Sequence, residues 1–249
     1  VTHKEYEMPK DSLYFPICVG NGIKNLACKY QPDNQGNNIS QKNFSYCELT
    51  AIYWAWKNMK AEKDDYIGVS HYRRYFTLNS KAKSLNEVLT DKELKNIVAH
   101  LKPNTILATP ARKYATSIKK HYIYSLKGYE NIHLKDIERL QQAIHECSPK
   151  YDKYAEEVLN GKSAHMLNMF IMRWDNFDAY CAWLFRIIDL VVEKSKDRED
   201  QGRYAGALSE FCLDIWARAN NMEIKELSLF ETEKSSFLMK VYQYIRRKL

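Results

Sequence analysis

No stretch of the 249-residue chain approaches the ~18 consecutive apolar residues of a membrane-spanning helix, so the chain reads as soluble. The body of the chain has no dense Lys/Arg block and no recognised nucleic-acid motif, which disfavours nucleic acid as a partner. No C-x-x-C pair occurs among the six cysteines, Cys18, Cys28, Cys47, Cys147, Cys181 and Cys212. Their spacing, and that of the histidines, disfavours a zinc site. With no signal peptide in view, they read as reduced, mostly buried thiols of a cytoplasmic protein, and what precedes Val1 is left open. The absence of a G-x-S-x-G elbow disfavours a Ser-His-Asp hydrolase. No internal repeat and no clear linker divides the chain.

What is present is a basic, aromatic-rich sequence. The net charge is +7, 45% of residues are hydrophobic and 13% are aromatic, with eighteen tyrosines and five tryptophans. Such a chain buries a substantial core. Its charge favours anionic partners such as phosphates, nucleic acid or an acidic lipid surface. The aromatics suit either core filling or a groove for a flat, polyhydroxylated ligand, and composition does not choose between them.

Short apolar runs alternate with helical patterns. Strands are expected within residues 12–22, at 66–70, at 104–109 and at 163–177. Helices are expected at 43–58, 84–101, 133–149, 178–195 and 202–220. The Asn-, Gly- and Pro-rich stretch 29–43 makes turns, and the charged run "EKSKDRED" at 193–200 reads as a solvated loop. This alternation implies one α/β domain with a mainly parallel sheet and a helix-rich C-terminal half. Within the helix at 43–58, apolar on nearly all sides, Glu48 needs a cation or hydrogen-bond donors.

In "DDYIGVSHYRRYF" (residues 64–76) a buried strand runs straight into His71, Arg73 and Arg74. Ligands of parallel α/β sheets bind beyond the carboxyl ends of the strands, and a guanidinium fork matches the paired oxygens of a diphosphate. The strand at 104–109 delivers Arg112 to a similar place. The plainer reading is an arginine pair holding carboxylates such as Glu48 or Asp65.

Four stretches, "DNQGNNISQKNFSYCELTAIYWAWKN", "DDYIGVSHYRRYF", "LNGKSAHMLNMFIMRWDNFDAYCAWLF" and "GALSEFCLDIW", together resemble a family named only as a domain of unknown function. That family occurs in bacterial capsule and exopolysaccharide gene clusters, and its members are commonly described as glycosyltransferases. The resemblance runs from Val1 to about residue 231. It implies a Rossmann-like core of the GT-A kind that transfers a hexose, galactose or galactofuranose among the options, from a nucleotide-sugar, UDP-linked by expectation. The acceptor would be a growing, lipid-linked capsular, exopolysaccharide or O-antigen glycan.

Many GT-A enzymes end the matching strand in Asp-x-Asp, whose carboxylates hold Mn²⁺ or Mg²⁺; here His71 and Arg73 stand there. Hard cations want oxygen ligands, so no metal is required in this reading and the cationic side chains stabilise the leaving diphosphate. A divalent Mn or Mg requirement is the alternative. For an inverting transfer, favoured over retention, the resemblance implies Glu210 as base; without it, Glu210, Asp214 and Arg218 form an ordinary solvated stripe. His165 and Asn168 would bind donor-sugar or acceptor hydroxyls. Thr2 and His3 would meet the nucleotide base, and Asp33, Asn34, Asn38 and Ser40 would close over it.

The tail, residues 232–249, reads as a basic amphipathic helix. It suits either the inner face of the cell membrane or docking on the body. A non-catalytic carbohydrate- or nucleotide-binding module remains the alternative to an enzyme.

Overall fold

A computed structural model describes residues 1–27, 29–124 and 133–233. Strands β1 (Ile17–Cys18) and β2 (Gln31–Pro32) flank the short helix α1 (Ile23–Leu26). Helices α2 (Asn43–Tyr46) and α3 (Leu49–Asn58) lead to β3 (Tyr66–Gly68) and β4 (Arg74–Thr77). Helix α4 (Asp91–Val98), β5 (Thr105–Ala108) and β6 (Arg112–Lys113) follow. Helices α5 (Ile118–Tyr124), α6 (Leu134–Cys147) and α7 (Asp152–Asn160) precede β7 (Ser163–Ala164) and β8 (Phe170–Arg173). The long α8 (Trp174–Glu193), α9 (Tyr204–Ser209), α10 (Cys212–Ala219), β9 (Glu223–Glu226) and β10 (Ser228–Glu231) complete the described order.

The main sheet has the order β3-β8-β5-β9 and is mixed. Strand β8 runs antiparallel to both β3 and β5, and only β5 and β9 pair in parallel. The expectation of a mainly parallel sheet therefore fails at β8. After β5 the chain makes its helical excursion from the carboxyl end of that strand. It returns at the same end, through the antiparallel β6–β7 pair, so the returning strand must run backwards.

Residues 1–2 carry the hydrogen bonding on from β3 to the parallel β1–β2 pair. Tyr72 N donates to Val1 O at 3.0 Å, Thr2 N to Ile17 O at 2.9 Å and Val19 N to Thr2 O at 2.9 Å. Gly22 is required beside them, because a Cβ there would lie 2.6 Å from the His3 backbone. The segment that carries Thr2 and His3 is thus wedged into the sheet.

The core forms where α8 crosses the sheet. Its Phe177, Tyr180, Leu184, Ile187, Ile188 and Val191 are all buried, and they meet Ile137, Leu140 and Ile144 of α6. Each such side chain contributes about 1.5–3 kcal/mol on burial.

Several expected boundaries move. The helix expected at 43–58 breaks at Cys47, whose φ is +53°, and the one expected at 202–220 breaks between α9 and α10. The strand expected at 163–177 is split into β7 and β8 by a loop at 165–169, and α8 begins at Trp174 rather than 178. Strands β4, β9 and β10 were not foreseen, since "EIKE" at β9 is an edge segment with almost no apolar signal. The tail expected as an amphipathic helix, 232–249, lies outside the described residues from 234 on. Among the described residues no helix is long and apolar enough to cross a membrane.

The charged run after α8 is not simply solvated. Arg198 is 4% exposed and pairs with Asp136, which is fully buried and also receives Arg139 at 3.2 Å and the His133 amide at 2.7 Å. Arg198 also lies over the Tyr204 ring, 4.3 Å from its centre, so this pair ties the loop to both α6 and α9. Removing one partner of a buried ion pair leaves an uncompensated charge. Arg198→Ala should lower the unfolding free energy by about 3–5 kcal/mol, towards the lower end because Arg139 remains. Urea denaturation checks this, with Asp136→Leu/Arg198→Met expected to lose less than Arg198→Ala alone.

Candidate functional site

Three breaks in regular structure meet at the carboxyl ends of β3 and β5. The first is the α2–α3 break, which presents Glu48. The second is the approach to β8, where Leu167 and Asn168 adopt φ of +82° and +50°. Left-handed backbone at two successive non-glycine residues is costly, and such strain gathers at functional sites. The third is α9, drawn close to α2 because Gly206 has no side chain: a Cβ there would meet the Cys47 side chain at 3.1 Å. Asn168 joins the three. Its Nδ2 donates to Glu48 Oε1 and to Ser209 Oγ, both at 2.8 Å. Burial raises the Glu48 carboxyl above its ordinary value, against the opposing pull of Asn168 and Arg203.

Beside this centre lies a cationic cluster around His3. The ring is lowered from 6.5 by partial burial and then by the charges of Lys4, Arg73 and Arg203. His3 itself is exposed and stands edge-on to Tyr72 at 5.1 Å. Thr2 is buried, and its hydroxyl donates to Lys4 O. Arg203 went unmarked in the sequence, because a lone arginine before a helix carries no local signal.

The arginine pair separates. After β3 the chain turns tightly, Arg74 N donating to His71 O at 2.9 Å, so Arg73 lies in the turn and Arg74 opens β4. Arg73 pairs with Glu233 at 2.9 Å and lies 5.0 Å from the Tyr72 ring centre, while Arg74 pairs with Glu231 at 3.0 Å. Both arginines hold acids, though neither acid is Glu48 or Asp65. His71 faces inward. Its Nε2 meets Leu167 O at 2.6 Å, and burial above all pushes the ring down to about 3, so it is neutral.

Beyond β1 and β2 lies a polar groove of about 500 Å³, lined by Asn21, Asn34, Asn38, Ser40, Gln41 and Phe44 among others. Phe44 is 72% exposed at this groove. Asn38 spends its amide locally, donating to Gly36 O at 2.9 Å and accepting from Ser40 N at 3.2 Å. Asp33 is wholly buried and accepts from Ser40 Oγ at 2.7 Å, so it shapes the loop from within.

On the opposite flank, Glu210 stands at the α9–α10 junction beside Arg112 and Tyr114. Burial works against the Arg112 charge, yet Tyr114, Tyr122 and Glu210 outweigh it and the guanidinium lies above its ordinary pKa. The solvated stripe does not exist. Asp214 is buried against His165 at 2.7 Å, while Arg218 reaches Glu157 at 3.4 Å. Among the described residues no three His, Cys, Asp or Glu side chains are arranged to hold a metal ion. At the end of β3, where an Asp-x-Asp pair would stand, His71 faces inward with its Nε2 on Leu167 O and supplies no oxygen ligand.

The chain belongs to the family described as a domain of unknown function, DUF4422, which matches residues 1–221. Its fold is similar to that of the apo structure of WbbM, a bifunctional glycosyltransferase, with a TM-score of 0.78 at 22% sequence identity. The match covers 95% of this chain and 45% of that one, so this chain spans less than half of WbbM. A search of curated proteins found no match to the chain.

The Glu48 environment gives a pH prediction. A carboxyl raised above 4.5 in the native state makes that state bind more protons than the unfolded chain in the window between the two values. Stability therefore falls as pH rises from the ordinary carboxylate value through the raised one. Glu48→Gln removes that fall and should be the more stable form at pH 7, the gap closing by about pH 4, as read from urea midpoints across the range.

Proposed function

We propose that this protein is a glycosyltransferase that uses a nucleotide-sugar donor, on a GT-A-like arrangement of strands. The reading rests on the positive field at His3, where partial burial and the charges of Lys4, Arg73 and Arg203 together lower the ring's pKa, and on the groove lined by Asn21, Asn34 and Asn38. Strands β3, β5 and β9 run in one direction, and the carboxyl ends of such strands are the usual place for a ligand. The likeness in fold to WbbM supports the same class.

In this reading the nucleoside lies in the groove with its base against Phe44, edged by Asn34 and Asn21. The diphosphate lies among Lys4, Arg73 and Arg203, and displaces Glu233 from Arg73. The sugar points towards Asn168, Ser209 and Glu48. An acceptor hydroxyl attacks the anomeric carbon as the bond to the diphosphate oxygen breaks. The electron pair goes to the leaving diphosphate, where the fixed cations stabilise it. Glu210 takes the hydroxyl proton in an inverting transfer, with Arg112 holding the carboxylate in place. A hexose donor, a lipid-linked glycan acceptor and a station on the inner membrane face belong to the same reading.

Two measurements test it. In a thermal-shift screen of UDP-, GDP-, CMP- and dTDP-sugars, one donor should raise the melting temperature. Phe44→Ala should weaken its binding by about 1–3 kcal/mol, the usual value of one stacked base. Arg203→Ala should weaken it further at low salt than at high salt. The reading is lost if no nucleotide-sugar binds, or if the bound nucleotide lies away from His3 and Arg203. Separately, Glu210→Gln should keep donor binding and lose at least ~100-fold in transfer, within the usual range for a general base.

A further inference from the structure

On the Glu210 flank of the cleft, one imidazole is held between two carboxylates from different elements. His165 lies between β7 and β8. Its Nδ1 meets Asp214 Oδ1 of α10 at 2.7 Å, and its backbone amide donates to the other oxygen of Asp214, also at 2.7 Å. Its Nε2 lies 3.4 Å from Glu226 Oε1 at the end of β9. That same Glu226 oxygen accepts the amide of Ala111 at 2.9 Å. Ala111 immediately precedes Arg112, whose strand β6 pairs Arg112 with Ala164, the neighbour of His165. The charged groups facing the ring are Asp214 and Glu226, and the cationic side chains on the adjoining strand are Arg112 and Lys113.

We propose that His165 is a protonation-controlled positioning residue: as imidazolium it binds Asp214 and Glu226 together and so fixes the β5–β6 turn that carries Arg112. The regulatory part of this inference rests on the glycosyltransferase reading of the cleft; the clamp itself does not.

Asp214, buried and with both oxygens on His165, keeps a proton on Nδ1 in either charge state. The titrating proton is the one on Nε2. With it, the ring donates towards Glu226, which stays seated on the Ala111 amide. Without it, a lone pair faces a carboxylate, the two repel, and Glu226, half-exposed, swings to solvent and releases the turn. Burial works against the charged ring, and the two carboxylates outweigh it, so the proton is lost only above the ordinary value of 6.5. The clamp is therefore closed at low pH and opens as pH rises through the raised value. Arg112 and its neighbour Glu210 then lose their fixed geometry.

Glu226→Gln separates a clamp from a merely structural histidine. A glutamine can accept from Ala111 through Oε1 and donate through Nε2 to the neutral ring, so the bridge survives deprotonation. In the intact protein, the exchange protection of the Ala111 amide, corrected for the intrinsic rate at each pH, should fall about tenfold across the His165 titration followed by NMR. In Glu226→Gln the His165 proton should be held about tenfold more weakly, and Ala111 should stay protected throughout. His165→Phe should leave Ala111 unprotected at every pH. Unchanged Ala111 protection across the titration in the intact protein, or the same loss in Glu226→Gln, overturns the clamp. Donor turnover in the intact protein should fall over the same range and be level in Glu226→Gln; turnover that ignores the titration overturns the positioning role. Absence of turnover at every pH, with the exchange behaviour as expected, counts against the glycosyltransferase reading and supports the clamp.

Discussion

The cleft depends on a single side-chain amide. Asn168, held in a left-handed conformation and almost wholly buried, donates at once to Glu48 and Ser209. These two residues come from helix ends that are far apart in sequence, and the amide adds to the close packing of Gly206 against Cys47 that already brings the two helices together. The amide is a donor to two acceptors in a region of low dielectric, where each bond is worth more than in water. Its backbone strain is tolerated because the neighbouring carbonyl of Leu167 is itself tied to His71. Loop, sheet and helices are locked by the same few contacts.

Around that centre the charges are sorted. Cations gather on the side of His3, whereas the far flank carries Glu210, Asp214 and Glu226 with Arg112 among them. A donor with a negatively charged leaving group and a neutral sugar fits such a division. In the proposed reading its phosphates would meet fixed positive charge, and the reacting hydroxyl a carboxylate. The buried Asp136–Arg198 pair lies behind α9 and fixes the loop from which that helix, and with it Ser209 and Glu210, is launched. Stability and site geometry therefore share elements here.

Some of this was legible beforehand. Long amphipathic segments such as α6 and α8 announce themselves through periodicity, because one face must leave water whatever lies opposite. The short apolar runs of β3 and β5 are equally plain. Residue types and the family resemblance together drew attention to His3, Arg73, Arg112, His165, Asn168 and Glu210, which fall in separate local clusters: His3 with Arg73, Arg112 with Glu210, His165 with Asp214, and Asn168 with Glu48. Two further candidates have contacts within the fold. Arg74 belongs to the β4–β10 ladder, and Asp33 is an internal brace. The helix breaks at Cys47 and Glu210 were invisible, because no proline or glycine marks them and both continue a helical pattern of apolar residues.

Residue types and their spacing, taken alone, determined that the chain has a large core, amphipathic helices and polar turns, since these follow from local propensity and from the need to bury apolar faces. They could not decide the direction of β8, the partners of the two arginines, or the meeting of Glu48, Asn168 and Ser209. Direction depends on the end of the sheet to which a long excursion returns. Pairing depends on which distant acids that path brings within reach. Both are properties of the whole chain in space, and in one dimension they leave no trace.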